Sequence, residues 1–234
     1  KKGIEEERQY KLKWEEAYEL YIKGRYEEAR ERFIELQGLR PEDEKLREMV
    51  VRCEEKIEEQ RQAEIREEKK NVLHKDKLDE IDKRFSLNSL RLLAARYLIK
   101  DEKGRPTESV RELFERVAVN IALAEVIYDE RVYDKNGNGI EFDEADFNRF
   151  NPIDLDGKHD LAGMKINRWH MDRFMAAYKE HALQGKMKVK LSKIFEMLGA
   201  HEFKEAEEAA RTYFNLMSRR DFLPNTPALV NSGR

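Results

Sequence analysis

Residues 96–127 read RYLIKDEKGRPTESVRELFERVAVNIALAEVI, and this stretch decides the fold. Its centre is a polar turn, Lys100 to Pro106, set between two apolar segments. Upstream, Leu87, Leu90, Leu92, Leu93, Tyr97 and Leu98 fall at helical spacing and predict a helix that stops at this turn. Downstream, Ser109 followed by Glu112 makes a capping box, in which each side chain satisfies an otherwise free backbone N–H. The next segment, VRELFERVAVNIALAEVIYD, has a broad apolar face and predicts a buried helix.

Further along, helices are expected from about Arg168 to His181, with Trp169, Phe174 and Tyr178, and then over Leu191–Leu198 and Glu202–Ser218. The last of these ends in Arg219-Arg220, where cations suit the negative end of a helix. The final fourteen residues, DFLPNTPALVNSGR, change to Pro, Asn and small apolar side chains. They read as a loop leading into a strand.

Toward the N-terminus the pattern differs. Trp14, Ala17, Tyr18 and Tyr21 mark one helical face, Gly24-Arg25 breaks it, and Tyr26, Ala29, Phe33 and Leu36 mark a second that Pro41 ends. Over residues 10–43 this spacing resembles a single tetratricopeptide repeat, a helix-turn-helix unit of about 34 residues. A third helix, about Glu42 to Gln60, would cap it with Leu46, Met49, Val50, Cys53 and Ile57. Two readings stand open: a docking surface for a partner, or a plain helical hairpin packed on the rest of the chain.

Composition narrows the classes. Of 234 residues, 41% are charged and 40% hydrophobic, and mean hydropathy is −0.88, as in a heavily solvated helical protein. Forty-six basic against 49 acidic residues leave a charge of −3, without the basic excess that general nucleic-acid binding needs. No stretch approaches the roughly 20 apolar residues of a spanning helix, and the start lacks a signal-peptide pattern. A cytoplasmic protein without membrane association is expected. The single cysteine, Cys53, excludes a disulfide framework and a zinc cluster, and its spacing is that of a core residue.

The order of motifs carries more. Arg96-Tyr97-Leu98, Lys100-Asp101, Gly104, Glu108, Leu113-Phe114 and Arg116-Val117-Ala118 are followed by the run from Phe222 to Gly233. Together they resemble the N-terminal part of the large subunit of ribonucleotide reductases, most closely the adenosylcobalamin-dependent (class II) branch. The resemblance covers about residues 86–234, with an unfamiliar insertion between about 130 and 190. It implies an all-α domain that runs into the first loop and strand of an α/β barrel. The expected layout is a helical hairpin module (1–66), a charged helical linker (67–85), a reductase-like helical domain (86–220) and the opening of the barrel (221–234).

The resemblance also implies a function. Such enzymes reduce ribonucleotides to deoxyribonucleotides with a cobalamin-generated thiyl radical and electrons from a cysteine pair. Those cysteines, and the adenosylcobalamin site, would lie outside this chain, so the fragment alone should be inactive. Thr226 would help hold the substrate's phosphates, with Asn225 and Pro227 shaping the turn. Partners would be the ribonucleotide and the cysteine-bearing catalytic barrel, and self-association is compatible with this. The competing reading is a non-catalytic interaction or regulatory module whose business end is the hairpin.

One motif stands apart. Asp134, Asn136 and Asn138 with Gly139 open like a calcium loop, with oxygen ligands at positions 1, 3 and 5 and glycine at 6. The pattern then slips, because the bidentate carboxylate falls due at Ala145 while Glu144 comes one residue early. Asp154, Asp156 and Asp160 follow nearby. An Asn-Gly turn in an acidic loop is the plainer reading and a weak metal site the alternative. The histidines, 74, 159, 170, 181 and 201, lack ligand spacing, and His170, beside Trp169 and Met171, reads as a helix-surface or packing residue.

Overall fold

The computed structural model describes residues 2–233, with side chains from residue 5 onward. It divides into two compact units, Lys1–Asn71 and Val72–Arg234.

In the first unit, α1 (Lys2–Ile22) and α2 (Tyr26–Leu39) form a hairpin around Gly24, whose φ of +76° glycine adopts without strain. Ala17 and Ala29 are fully buried, so the helices approach closely and Phe33 and Leu36 fill the space beside them. Leu46, Met49 and Cys53 of α3 (Glu44–Leu73) close this core. Burial raises the Cys53 thiol, which keeps it protonated and unreactive. The third helix runs well beyond the expected Gln60. Its Glu, Gln, Lys and Arg residues all favour helix, and no glycine or proline interrupts them before His74 turns left-handed at φ +51°.

The second unit is built around α6 (Val110–Ile127), which buries eleven of its residues. The expected capping box is present, with Ser109 accepting from the Glu112 N–H and Glu112 from the Ser109 N–H. The most extensive neighbour of α6 is α10 (Lys204–Arg219), which presents buried Ala206, Ala210 and Met217. Around this pair stand α4 (Glu80–Arg84), α5 (Leu87–Arg96), α7 (Glu144–Phe147), α8 (Arg168–Leu183) and α9 (Leu191–Gly199). Leu78, Ile81 and Phe85 are buried in the same core.

Within the unfamiliar segment lies a two-residue antiparallel ribbon, β1 (Asp160–Leu161) with β2 (Met164–Lys165). Among the described residues the remaining regular elements are helices, as the pattern predicts.

The C-terminal segment departs from expectation. Instead of a loop entering a strand, residues 226–231 form a short helix, α11 (Thr226–Asn231). Asn225 is extended and takes the N-cap position, and Pro227 falls in the first turn, where its missing N–H costs nothing. The described residues offer this segment no strand to pair with. Leu229 anchors the helix in the core.

Candidate functional site

An arginine inside the apolar run Leu113–Val119 needs an explanation, because an unpaired buried charge is costly. Arg116 lies on the inner face of α6 and is 5% exposed. Its Nε donates to Glu108 Oε1 at 2.5 Å, and Nη2 reaches Glu108 Oε2 at 3.2 Å, so the charge is neutralised by a two-pronged pair. The remaining donors hold main chain. Nη2 also donates to the Tyr97 carbonyl at 3.0 Å, and Nη1 to the Ser232 carbonyl at 2.6 Å. Glu108 completes the set by accepting from the Ile99 N–H at 3.0 Å.

A second attachment lies alongside. Asn167 caps α8 through Oδ1, which accepts from the N–H groups of Trp169 and His170, while its Nδ2 donates to the Gly233 carbonyl at 2.9 Å. His170 is buried. Its Nδ1 accepts from the Asn167 N–H at 3.2 Å, and its Nε2 lies 2.9 Å from the Arg116 carbonyl. A carbonyl on one nitrogen and an N–H on the other assign the neutral ring protonated at Nε2. Burial is the main reason its pKa falls to about 4, against 6.5 for a free ring. Gly233, at φ +67°, presses on this ring, and a Cβ there would lie 2.3 Å from Nε2.

Two clamps therefore hold residues 232 and 233, and a third contact reaches the start of α11. The Tyr97 hydroxyl lies 3.1 Å from Thr226 Oγ1. Asn225, Thr226 and Pro227 are themselves exposed at the turn. Beside the clamp opens a cleft of about 480 Å³, lined by Ile99, Thr107, Glu108, Glu112, Glu115 and Lys165 among others. Burial raises the Glu115 carboxyl above the usual range.

The model of the ribonucleotide reductase all-alpha domain matches residues 83–234. The chain belongs to this family. A vitamin B12-dependent ribonucleoside-diphosphate reductase of Thermoplasma acidophilum is 31% identical over 169 residues, 72% of this chain and 19% of that protein. A reductase of the same name from Mycobacterium tuberculosis is 41% identical over 70 residues, 30% of this chain and 9% of its own. The chain thus spans about a fifth or less of the relatives it matches. No solved structure gives a significant match.

Within this reductase domain, the two motifs that are far apart in sequence meet at the clamp. Tyr97, Glu108 and Arg116 come from the first, and Thr226, Ser232 and Gly233 from the second. The linking role of Arg116 and Glu108 was accessible in principle, since a charge in an apolar helical run demands a partner. The part played by Asn167 and His170 was not; of the two readings of His170, helix surface or packing, the packed one holds, and its ring adds two polar links. Arg219 and Arg220 are exposed at the end of α10.

The calcium-like loop is placed differently. Asp134 Oδ1 accepts from the Asn136 N–H at 2.8 Å, and Asn136 and Asn138 point to solvent. The loop's main chain pairs with residues 185–188, as in Gly139 N–H to Gly185 O and Ile140 N–H to Met187 O, both 2.7 Å. A Cβ at Gly139 would lie 2.3 Å from the Met187 carbonyl, so close backbone packing alone requires glycine there. Asp156 and Asp160 accept from the N–H groups of Arg168 and Gly163. Among the described residues, no group of three or more His, Cys, Asp or Glu is arranged to hold a metal. No helix among them is long and apolar enough to cross a membrane.

Nor do these residues fit a cobalamin. Both ring nitrogens of His170 are engaged, and the cleft beside the clamp is acidic and small beside a corrin macrocycle.

Proposed function

We propose that the chain is the N-terminal portion of an adenosylcobalamin-dependent ribonucleoside reductase, which makes deoxyribonucleotides by thiyl-radical chemistry. The observation that carries this reading is the match to the reductase all-alpha domain over residues 83–234, a span containing both motifs. The names of the relatives favour a ribonucleoside diphosphate as substrate.

The division of labour follows from the residues present. Cys53 is buried in the first unit, so the radical-bearing cysteine and the reducing pair are assigned to sequence outside this chain, together with the cobalamin site. Residues 225–227 would form part of the substrate cleft, with the Thr226 hydroxyl donating to a phosphate oxygen and Asn225 and Pro227 fixing the turn. The enzyme would work in the cytoplasm, and the hairpin module of residues 1–66 would take no part in the chemistry.

The test is reconstitution. This chain, joined to or mixed with its cysteine-bearing catalytic portion, should convert a ribonucleoside diphosphate to the deoxy product only when adenosylcobalamin and a dithiol are supplied. Conversion that proceeds equally well without residues 86–234 would sink the proposal.

A further inference from the structure

Two hydroxyls, 129 residues apart in sequence, meet at 3.1 Å where the first motif faces the second. Tyr97 ends α5 and is 8% exposed, so its ring is fixed by packing. Its main-chain carbonyl is held by Arg116 Nη2, and the same guanidinium holds the Ser232 carbonyl through Nη1. Glu108 fixes the guanidinium from the other side and, through the Ile99 N–H, the chain just after Tyr97. One buried ion pair thereby sets the spacing between the segment that carries Tyr97 and the segment that carries Thr226.

We propose that Tyr97 is a positioning residue for the Thr226 hydroxyl, placed by the Arg116–Glu108 pair that grips both segments. The proposal rests on the reading that Thr226 contacts substrate phosphate. A threonine hydroxyl has one proton and two lone pairs. To donate that proton to a phosphate oxygen, it must accept in its contact with Tyr97, and the phenol has a proton to give. Tyr97 then selects the hydroxyl orientation that faces the anion, without touching the substrate itself. Removing the phenolic oxygen leaves the threonine free to turn its proton elsewhere, which weakens binding and leaves the reacting centre unchanged.

The experiment compares Tyr97→Phe, Thr226→Ala, Thr226→Ser and the Tyr97→Phe/Thr226→Ala double variant in the assembled reductase, with KM for the ribonucleoside diphosphate and kcat measured separately. Tyr97→Phe keeps the ring and its packing, and amide exchange over residues 226–233 checks that α11 stays docked. The expected result is a KM raised about fivefold, the scale of one neutral hydrogen bond, with kcat retained. Thr226→Ala should raise KM at least as much, Thr226→Ser should restore it, and Tyr97→Phe should add nothing in the Thr226→Ala background.

The outcomes separate cleanly. A KM raised by Thr226→Ala and untouched by Tyr97→Phe overturns the positioning role and leaves the phosphate contact standing. A Tyr97→Phe effect that persists in full without the threonine hydroxyl also overturns it. If neither variant moves KM, the phosphate reading itself fails.

Discussion

The cores of the two units differ in what they enclose. In residues 1–71 the core is apolar, built from Ala17, Ala29, Phe33, Leu36, Leu46, Met49 and Cys53, with aromatic rings at its edge. Trp14 stacks on Tyr18 at 5.1 Å and meets Phe33 edge-on at 6.0 Å. Ion pairs such as Arg30–Glu54 and Arg32–Glu35 lie exposed on its surface. The second unit also has a large apolar core, but its centre carries a buried ion pair, a buried histidine and an asparagine that bind main chain. Apolar packing tolerates sliding and substitution, whereas a buried charge demands particular partners at particular places. The unit that contains the turn at residues 225–227 is the one that carries the demanding arrangement.

The sharpest way to break this contrast is to remove one member of the buried pair. Glu108→Ala should destabilise the second unit by about 3–5 kcal/mol, because it strands the Arg116 charge. Amide exchange would show the loss in α6 and α11 while α1 and α2 keep their protection. Phe33→Ala is the matched injury to the first unit, expected at about 3–4 kcal/mol and confined there. Loss of protection spreading equally through both units in either variant would remove the distinction.

Acid should separate the units next. His170 is neutral when folded, with a pKa near 4 against 6.5 unfolded, so the unfolded chain binds the extra proton first. Its contribution is intact above pH 6.5 and is lost as pH falls toward 4, about 3 kcal/mol in all. Urea titrations of the wild type and His170→Asn across that window should show the variant with the flatter pH dependence. Gly233→Ala is expected to cost about 2 kcal/mol, from a left-handed backbone and a Cβ forced against the His170 ring. Arg32→Gln, by contrast, should leave the unfolding midpoint within error, since its glutamate partner is solvated.

Much of this arrangement was legible in the sequence, and the reasons for the rest are physical. Helical spacing located α1, α2, α6 and α9, and the Ser109–Glu112 box marked the start of α6 to the residue. Local propensity also governs the length of α3, which joins the helix expected to about Gln60 to the start of the charged helical stretch expected from 67. For residues 226–231, Asn225 as N-cap and Pro227 in the first turn were helix signals set against an expected strand. Arg116 and Glu108 belonged to the motif that was read, but their partners, the carbonyls of Tyr97 and Ser232, leave no mark in a sequence because every residue has one. The role of His170 depends on Asn167 and Arg116 meeting it in space, which one-dimensional spacing does not encode.

The bond from Arg116 to Ser232 closes a loop of 116 residues. During synthesis at ~5–20 residues per second, Ser232 follows Arg116 by on the order of ten seconds. Throughout that interval the guanidinium has its glutamate and the Tyr97 carbonyl within reach, but not the last acceptor. The helix around it can therefore form early, while the final tightening of the core waits for Ser232. Docking of residues 226–233 becomes a late folding event.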